Sequence, residues 1–225
     1  MAGQATLGAA ATGRVSISLW SGPLGLALRL LIVVLGLALF SLGSVLILRS
    51  RVGLGPWDVF HQGLTRHLPL TFGQASITTG FVVLLLAWAC GARPGVATVL
   101  NMLLVGAFID LYLWLGFVPD FGAWALPLRV AIDLTGVLAI GMGTALYIKG
   151  NLGAGPRDGL MLALARRTGG RVSIVRGAIE VLALAVGALL GGTAGIGTII
   201  FALGAGPAVG LGFRLLRVRV VRADA

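Results

Sequence analysis

Six apolar runs dominate the chain, at 30–48, 72–92, 95–117, 130–148, 172–191 and 195–213. Each is close to the ~20 residues that an α-helix needs to cross about 30 Å of hydrocarbon. Charges gather at their edges: Arg29 and Arg49 flank the first run, Arg129 and Lys149 the fourth. The pattern predicts an all-α, polytopic membrane protein of about six spans. Residues 56–68 are too short to span and read differently. Trp57, Phe60, Leu64 and Leu68 share one helical face there, with Asp58, His61, Gln62, Thr65 and Arg66 off it. That is a short amphipathic helix.

The start of this short helix occurs twice. Gly53-Leu54-Gly55-Pro56-Trp57-Asp58 is matched 100 residues later by Gly153-Ala154-Gly155-Pro156-Arg157-Asp158. Laying 129–216 on 29–116 without a gap gives 19 identities in 88 positions, where about one in ten is expected by chance in so Gly-, Ala- and Leu-rich a chain. Arg29/Arg129, Gly43/Gly143, Arg66/Arg166, Gly95/Gly195 and Thr98/Thr198 fall in step with the motif. The chain therefore reads as two repeats, 23–118 and 119–216, with a disordered tail at 1–22 and a basic tail at 217–225. Three spans per repeat is an odd number, so the second repeat enters the membrane from the opposite face. The expected architecture is two inverted three-helix repeats, each carrying a G-x-G-P-x-D helix.

Loop charge sets the direction. With the N-terminus inside, Arg14, Arg93, Lys149, Arg157, Arg166, Arg167, Arg171, Arg214, Arg217, Arg219 and Arg222 are cytoplasmic, and only Arg49, Arg51 and Arg66 lie outside. Eleven against three favours both termini in the cytoplasm.

The motif has a physical reading. Gly53, Gly55, Gly153 and Gly155 permit an unusual backbone, and Pro56 and Pro156 suit the first helical position, where no amide donor is needed. Asp58 and Asp158 fall in the first turn, beside free amides and the positive helix end. Two readings stand. The short helices lie in the interfaces, each merely capped by its aspartate. Alternatively, they dip into the protein and aim their N-termini at a midplane site, as broken helices do in inverted-repeat transporters. Capping carboxylates disfavour an anion there and leave room for a cation or proton.

Ionisable groups inside spans need a reason, because each costs at least ~2.5 kcal/mol near the bilayer centre. Asn101 and Asp110 lie in the third span, with Asp110 the deepest unpaired carboxylate. Asp133, four residues after Arg129, is placed to pair with it. Arg176 and Glu180, also four apart, share a face and partly neutralise each other. The candidate pathway is thus Asp58, Asp158, Arg157, His61, Asn101, Asp110, Arg176 and Glu180, although His61 and His67 equally suit a solvated polar face. Pro207 predicts a kink or break in the last span. Gly206/Gly210 and Gly187/Gly191 have the spacing of close helix contacts.

Composition agrees. The chain is 58% hydrophobic and 11% charged, with a mean hydropathy of +1.03, against about 25% charged in soluble domains. The net charge of +10 is spread over loop ends and builds no nucleic-acid platform. The single cysteine, Cys90, excludes an internal disulfide and reads as a packing residue. No G-x-x-x-x-G-K-[ST], H-E-x-x-H or G-x-S-x-G occurs, and no His/Cys/Asp cluster has ligand spacing. No enzyme, cofactor or metal is expected.

Arg51-Val52-Gly53-Leu54-Gly55-Pro56-Trp57-Asp58-Val59-Phe60-His61-Gln62-Gly63-Leu64, followed by Thr71-Phe72-Gly73-Gln74-Ala75, resembles the bacterial YczE/YyaS/YitT-like membrane proteins over about 29–216. Gly153 to Asp158, with Arg176 and Glu180, is similar to the family's second-half pattern. The resemblance implies an integral protein of the bacterial inner membrane and brings no catalytic residues with it. Two functions fit: a small-solute transporter-like permease with a site between the repeats, or a non-transporting membrane scaffold or regulator acting through a protein partner.

The charge count predicts a topology. Cysteine labelling should find the loop at Asp120 outside and the 149–171 segment inside; labelling of both from one face would reject six spans.

Overall fold

Glycines decide how closely the longest helices approach each other. The computed structural model describes residues 23–218, so the predicted tail at 1–22 and most of the basic tail fall outside it. Eight helices and no strands form among these residues: α1 Pro23–Ser50, α2 Pro56–His67, α3 Phe72–Ala89, α4 Val96–Leu115, α5 Leu126–Lys149, α6 Pro156–Thr168, α7 Val172–Leu189 and α8 Ile196–Leu215. Six are long and apolar enough to cross a membrane. The other two, α2 and α6, have 12 and 13 residues, about 18–20 Å at 1.5 Å per residue.

The two longest helices, α1 and α5, lie at the centre, antiparallel. Gly36 meets Gly143 and Gly43 meets Gly136. A Cβ on Gly36 would stand 2.5 Å from the Tyr147 amide nitrogen, and one on Gly143 2.5 Å from that of Phe40. No side chain can occupy such a seam, so dispersion is gathered along backbone instead. Around it sit Val33, Leu37, Val45 and Tyr147, all buried.

The contacts are reciprocal under the 100-residue offset. Arg29 Nε donates to Gly150 O at 2.8 Å, and Arg129 Nε to Ser50 O at 2.8 Å. Each guanidinium also reaches the next carbonyl, Asn151 O and Arg51 O respectively. A left-handed residue follows each helix end, Arg51 at φ 55° directly after α1 and Asn151 at φ 51° two residues after α5. Arg129 is thus engaged with backbone and does not pair with Asp133 as expected. Asp133 is fully buried, with Oδ1 3.3 Å from the Ser50 hydroxyl.

Three further expectations change. Of the kink or break expected at Pro207, the break is excluded, since the helix continues through it. Its neighbours Gly206 and Gly210 face open space, so they form no close contact, whereas Gly187 does. Asp110 is partnered: it accepts from the Thr71 hydroxyl and, at 2.8 Å, from the Gly73 amide. Thr71 and Gln74 form a capping box on the same helix end. The carboxylate is therefore consumed in fixing the start of α3 to α4. Outside the spans, Arg51 hydrogen-bonds Asp120 and holds its carboxyl at about 2.

Much apolar surface is left outward. Val181, Leu182 and Leu189 of α7 are 66%, 64% and 88% exposed. Together with the six apolar helices, this is a multi-pass membrane protein whose outer surface is matched to lipid.

Gly36→Ala and Gly143→Ala should each destabilise the detergent-solubilised protein by about 1–3 kcal/mol. Gly206→Ala and Gly210→Ala should not lower its melting temperature, because nothing lies within 4 Å of the added methyl. Equal losses in both pairs by thermal size-exclusion would refute the close α1–α5 seam.

Candidate functional site

Each long central helix is followed by the repeated motif, and the reciprocal packing sends the two motifs inward. Gly53 has φ 137° and Gly153 φ 125°, a backbone that only glycine adopts without strain. At the first turn a peptide hydrogen bond ties the loop to a distant helix start: Gly197 N donates to Val52 O at 3.0 Å, and Ala97 N to Leu152 O at 2.9 Å. The motif after α1 thus holds the start of α8, and the motif after α5 holds the start of α4. Pro56 and Pro156 then open α2 and α6 with no side-chain cap on either. Asp58 and Asp158 lie in these first turns and point elsewhere.

The first turns meet. The Arg157 guanidinium lies 4.6 Å from the centroid of the Trp57 ring, a cation–π contact of about 0.5–2 kcal/mol. Its Nη2 is 3.2 Å from His61 Nε2. Guanidinium only donates, so Nε2 is the acceptor and the neutral ring's proton resides on Nδ1. That nitrogen is 3.2 Å from Asp58 Oδ1, close but not aligned as a hydrogen bond. His61 is fully buried, with Phe72 edge-on to it at 5.9 Å. Of the α2 residues read as solvated, His61 is turned into the protein, whereas His67 at the far end of the helix is exposed. In the other half, the Tyr147 hydroxyl donates to Asp158 Oδ2 at 3.4 Å.

Arg176 and Glu180 form the expected ion pair, Nε to Oε1 at 2.9 Å, on the half-exposed flank of α7. Their charges act on Asp158, and that of Glu180 also on Arg157. Asn101 of α4 lies against the second motif, its Oδ1 3.3 Å from where a Gly155 Cβ would be. The structure therefore gathers Asp58, His61, Arg157 and Asp158, flanks them with Arg176 and Glu180, sets Asn101 beside the second motif, and leaves Asp110 apart. Sequence reasoning missed Tyr147 and gave Trp57 no role. The signal for Tyr147 was the one aromatic ring in the fourth run, where Ile47 stands in the other repeat.

A cavity of about 940 Å³ opens beside the second motif, bounded among others by Cys90, Arg93, Pro156, Gly159 and Arg166. It reaches the first turn of α6 without including Arg157 or Asp158 among its walls. No cluster of three or more metal-ligating side chains occurs among the described residues. The central groups suit binding and proton exchange: a fixed cation, two carboxylates and an imidazole, held by two helix starts.

Residues 27–213 match a protein family described as "Family of unknown function (DUF6198)". This chain belongs to that family. Three relatives resemble it over most of their length. An uncharacterized protein of Haemophilus influenzae is 34% identical over 178 residues, 79% of this chain and 80% of the relative. The uncharacterized membrane protein YczE of Bacillus subtilis is 34% identical over 180 residues, 79% and 82% of the two chains. The uncharacterized protein YyaS of Bacillus subtilis is 26% identical over 171 residues, 74% and 83%. No solved structure matches.

The convergence is directly checkable. With Cys90→Ser as background, Trp57→Cys together with Arg157→Cys should cross-link through a short bifunctional thiol reagent within one polypeptide. Absence of the intramolecular product in folded protein would separate the two motif helices.

Proposed function

We propose that the protein is a small-solute permease of the bacterial inner membrane, with both termini cytoplasmic. Its two halves are inverted repeats about an axis in the membrane plane, and its site lies between the first turns of α2 and α6. The observation that carries this reading is Arg157 of one repeat lying against Trp57 and His61 of the other. Helix starts leave amide donors unmade. Non-helical backbone at membrane depth is tolerated only inside protein or along a water-filled path. Here two such starts meet around ionisable groups of both signs. The arrangement fits a site that exchanges a small polar solute for internal contacts, and it involves no chemical conversion. A scaffold acting through a protein partner would gain nothing from polar groups hidden from that partner.

Uptake by membrane vesicles against a broad metabolite panel tests the reading. Asp58→Asn and Asp158→Asn should each abolish uptake while the protein still reaches the membrane. If they are only first-turn charges, Asn replaces them at a cost of ~1 kcal/mol or less, with uptake intact. Retained uptake in both variants would reject the site; no uptake of any solute by the unmodified protein would favour the scaffold.

A further inference from the structure

The two repeats build the same seam twice, and the copies differ at three matched positions. In one, α2 packs on α7 through Gly63, Gly187 and Gly192. A Cβ on Gly187 would stand 2.4 Å from the Phe60 amide nitrogen, one on Gly192 2.0 Å from Val59 O, and one on Gly63 2.8 Å from Gly187 O. Backbone touches backbone at all three. In the other, α6 faces α3, and the positions 100 residues away are Ala163, Ala87 and Ala92. All three alanines line the 940 Å³ cavity. The methyls forbid the approach that the glycines allow; Ala87 and Ala163 are themselves buried within the seam, and the cavity lies beside them, with Ala92 and Cys90 part-exposed.

Hydrogen bonds differ in the same direction. Thr193 is held twice at the glycine seam: its amide donates to Gln62 Oε1 at 2.6 Å, and its carbonyl accepts from the Leu54 amide at 3.2 Å. The matched residues at the alanine seam are Arg93 and Leu162. Leucine offers no side-chain oxygen, so that latch cannot form. Both seams carry a contact from the matched residues near the ends of α2 and α6, His67 Nε2 to Leu190 O at 3.2 Å and Arg167 Nη2 donating to Ala89 O at 2.8 Å, one register position apart. The frame is common; the gap is local.

We infer that the α3–α6 seam is the open entrance to the central site and the α2–α7 seam its closed counterpart, the difference being set by Ala87, Ala92 and Ala163 against Gly187, Gly192 and Gly63. This rests on the permease reading for its purpose, since a solute crossing between inverted repeats needs one entrance on each side. It gives that permease a resting state open beside the second motif. Populations of the two states then follow from how tightly each seam closes.

The single cysteine reports the difference without any solute. Cys90 lines the cavity, and its counterpart Leu190 packs against Gly63 at the closed seam. In reconstituted protein, Cys90 should react quickly with a water-soluble maleimide. Leu190→Cys in a Cys90→Ser background should react several-fold more slowly. Changing Ala87, Ala92 and Ala163 together to Gly should slow the labelling of Cys90 several-fold, and Gly63→Ala should speed that of Leu190→Cys. Single Ala→Gly changes, gentler on folding, should each give part of the shift. Equal rates at the two positions, or a Cys90 rate indifferent to the Ala→Gly changes in folded protein, would overturn the inference. Because labelling needs no transport, shifted labelling with no uptake would spare the gate and reject the permease, and the reverse result would do the opposite.

Discussion

A helix that ends against other helices leaves its last carbonyls without intrahelical partners, and the rest of this fold depends on how two such ends are met. Each is closed by an arginine from the other half, Arg129 for the end of α1 and Arg29 for the end of α5. The exchange is possible only because α1 and α5 run antiparallel in backbone contact along Gly36, Gly43, Gly136 and Gly143. Capping fixes where each helix stops. The stop, with a left-handed residue after it, fixes where the motif loop turns. The loop then fixes the starts of α4 and α8 through one peptide hydrogen bond each. Removing an arginine would uncover two carbonyls at once, each an unmade bond of about 1–3 kcal/mol when buried.

How much of this could be read from the chain follows from what each residue's neighbours supply. The six apolar runs were legible because lipid imposes length and hydropathy on any spanning helix. Both central helices start several residues before the apolar runs, because apolar sequence continues on the far side of Arg29 and Arg129. Arg29 and Arg129 were visible as matched residues, and their role was not, since capping depends on which helix lies alongside. Asp110 was misread for the same reason: its partners, Thr71 and Gly73, are more than thirty positions away. The i, i+4 pair of Arg176 and Glu180 was legible because a helix alone brings it together. His61 was legible as polar and illegible as buried, because an amphipathic helix places its polar face toward water unless another half-helix arrives to cover it.

Symmetry supplies positions and substitution supplies chemistry. Ser50 and Asp133 meet at one end of the central pair; the matched residues at the other end are Gly150 and Val33, which simply touch. Asn101 stands by the second motif, and its counterpart Phe201 by the first, 3.1 Å from a Gly55 Cβ. A polar contact in one repeat is repeatedly an apolar one in the other. Two strictly identical halves would carry the same residue at positions 57 and 157, and two arginines there would repel at close range.

The matched positions 57 and 157 meet in the structure and are filled by different residues. Position 57 is Trp and position 157 is Arg, so an electron-rich ring face receives a cation. With Asp58 and Asp158 retained in both first turns, that single guanidinium lies among two carboxylates and an imidazole that offers it only a lone pair. Arg at both positions would leave a second buried cation without the ring face, and Trp at both would leave two buried carboxylates without any cation between them. One Trp and one Arg is the combination that neutralises part of the acid charge and still leaves a carboxylate in excess. For the permease proposed above, a site with that balance suits a partner bearing positive charge, a proton included.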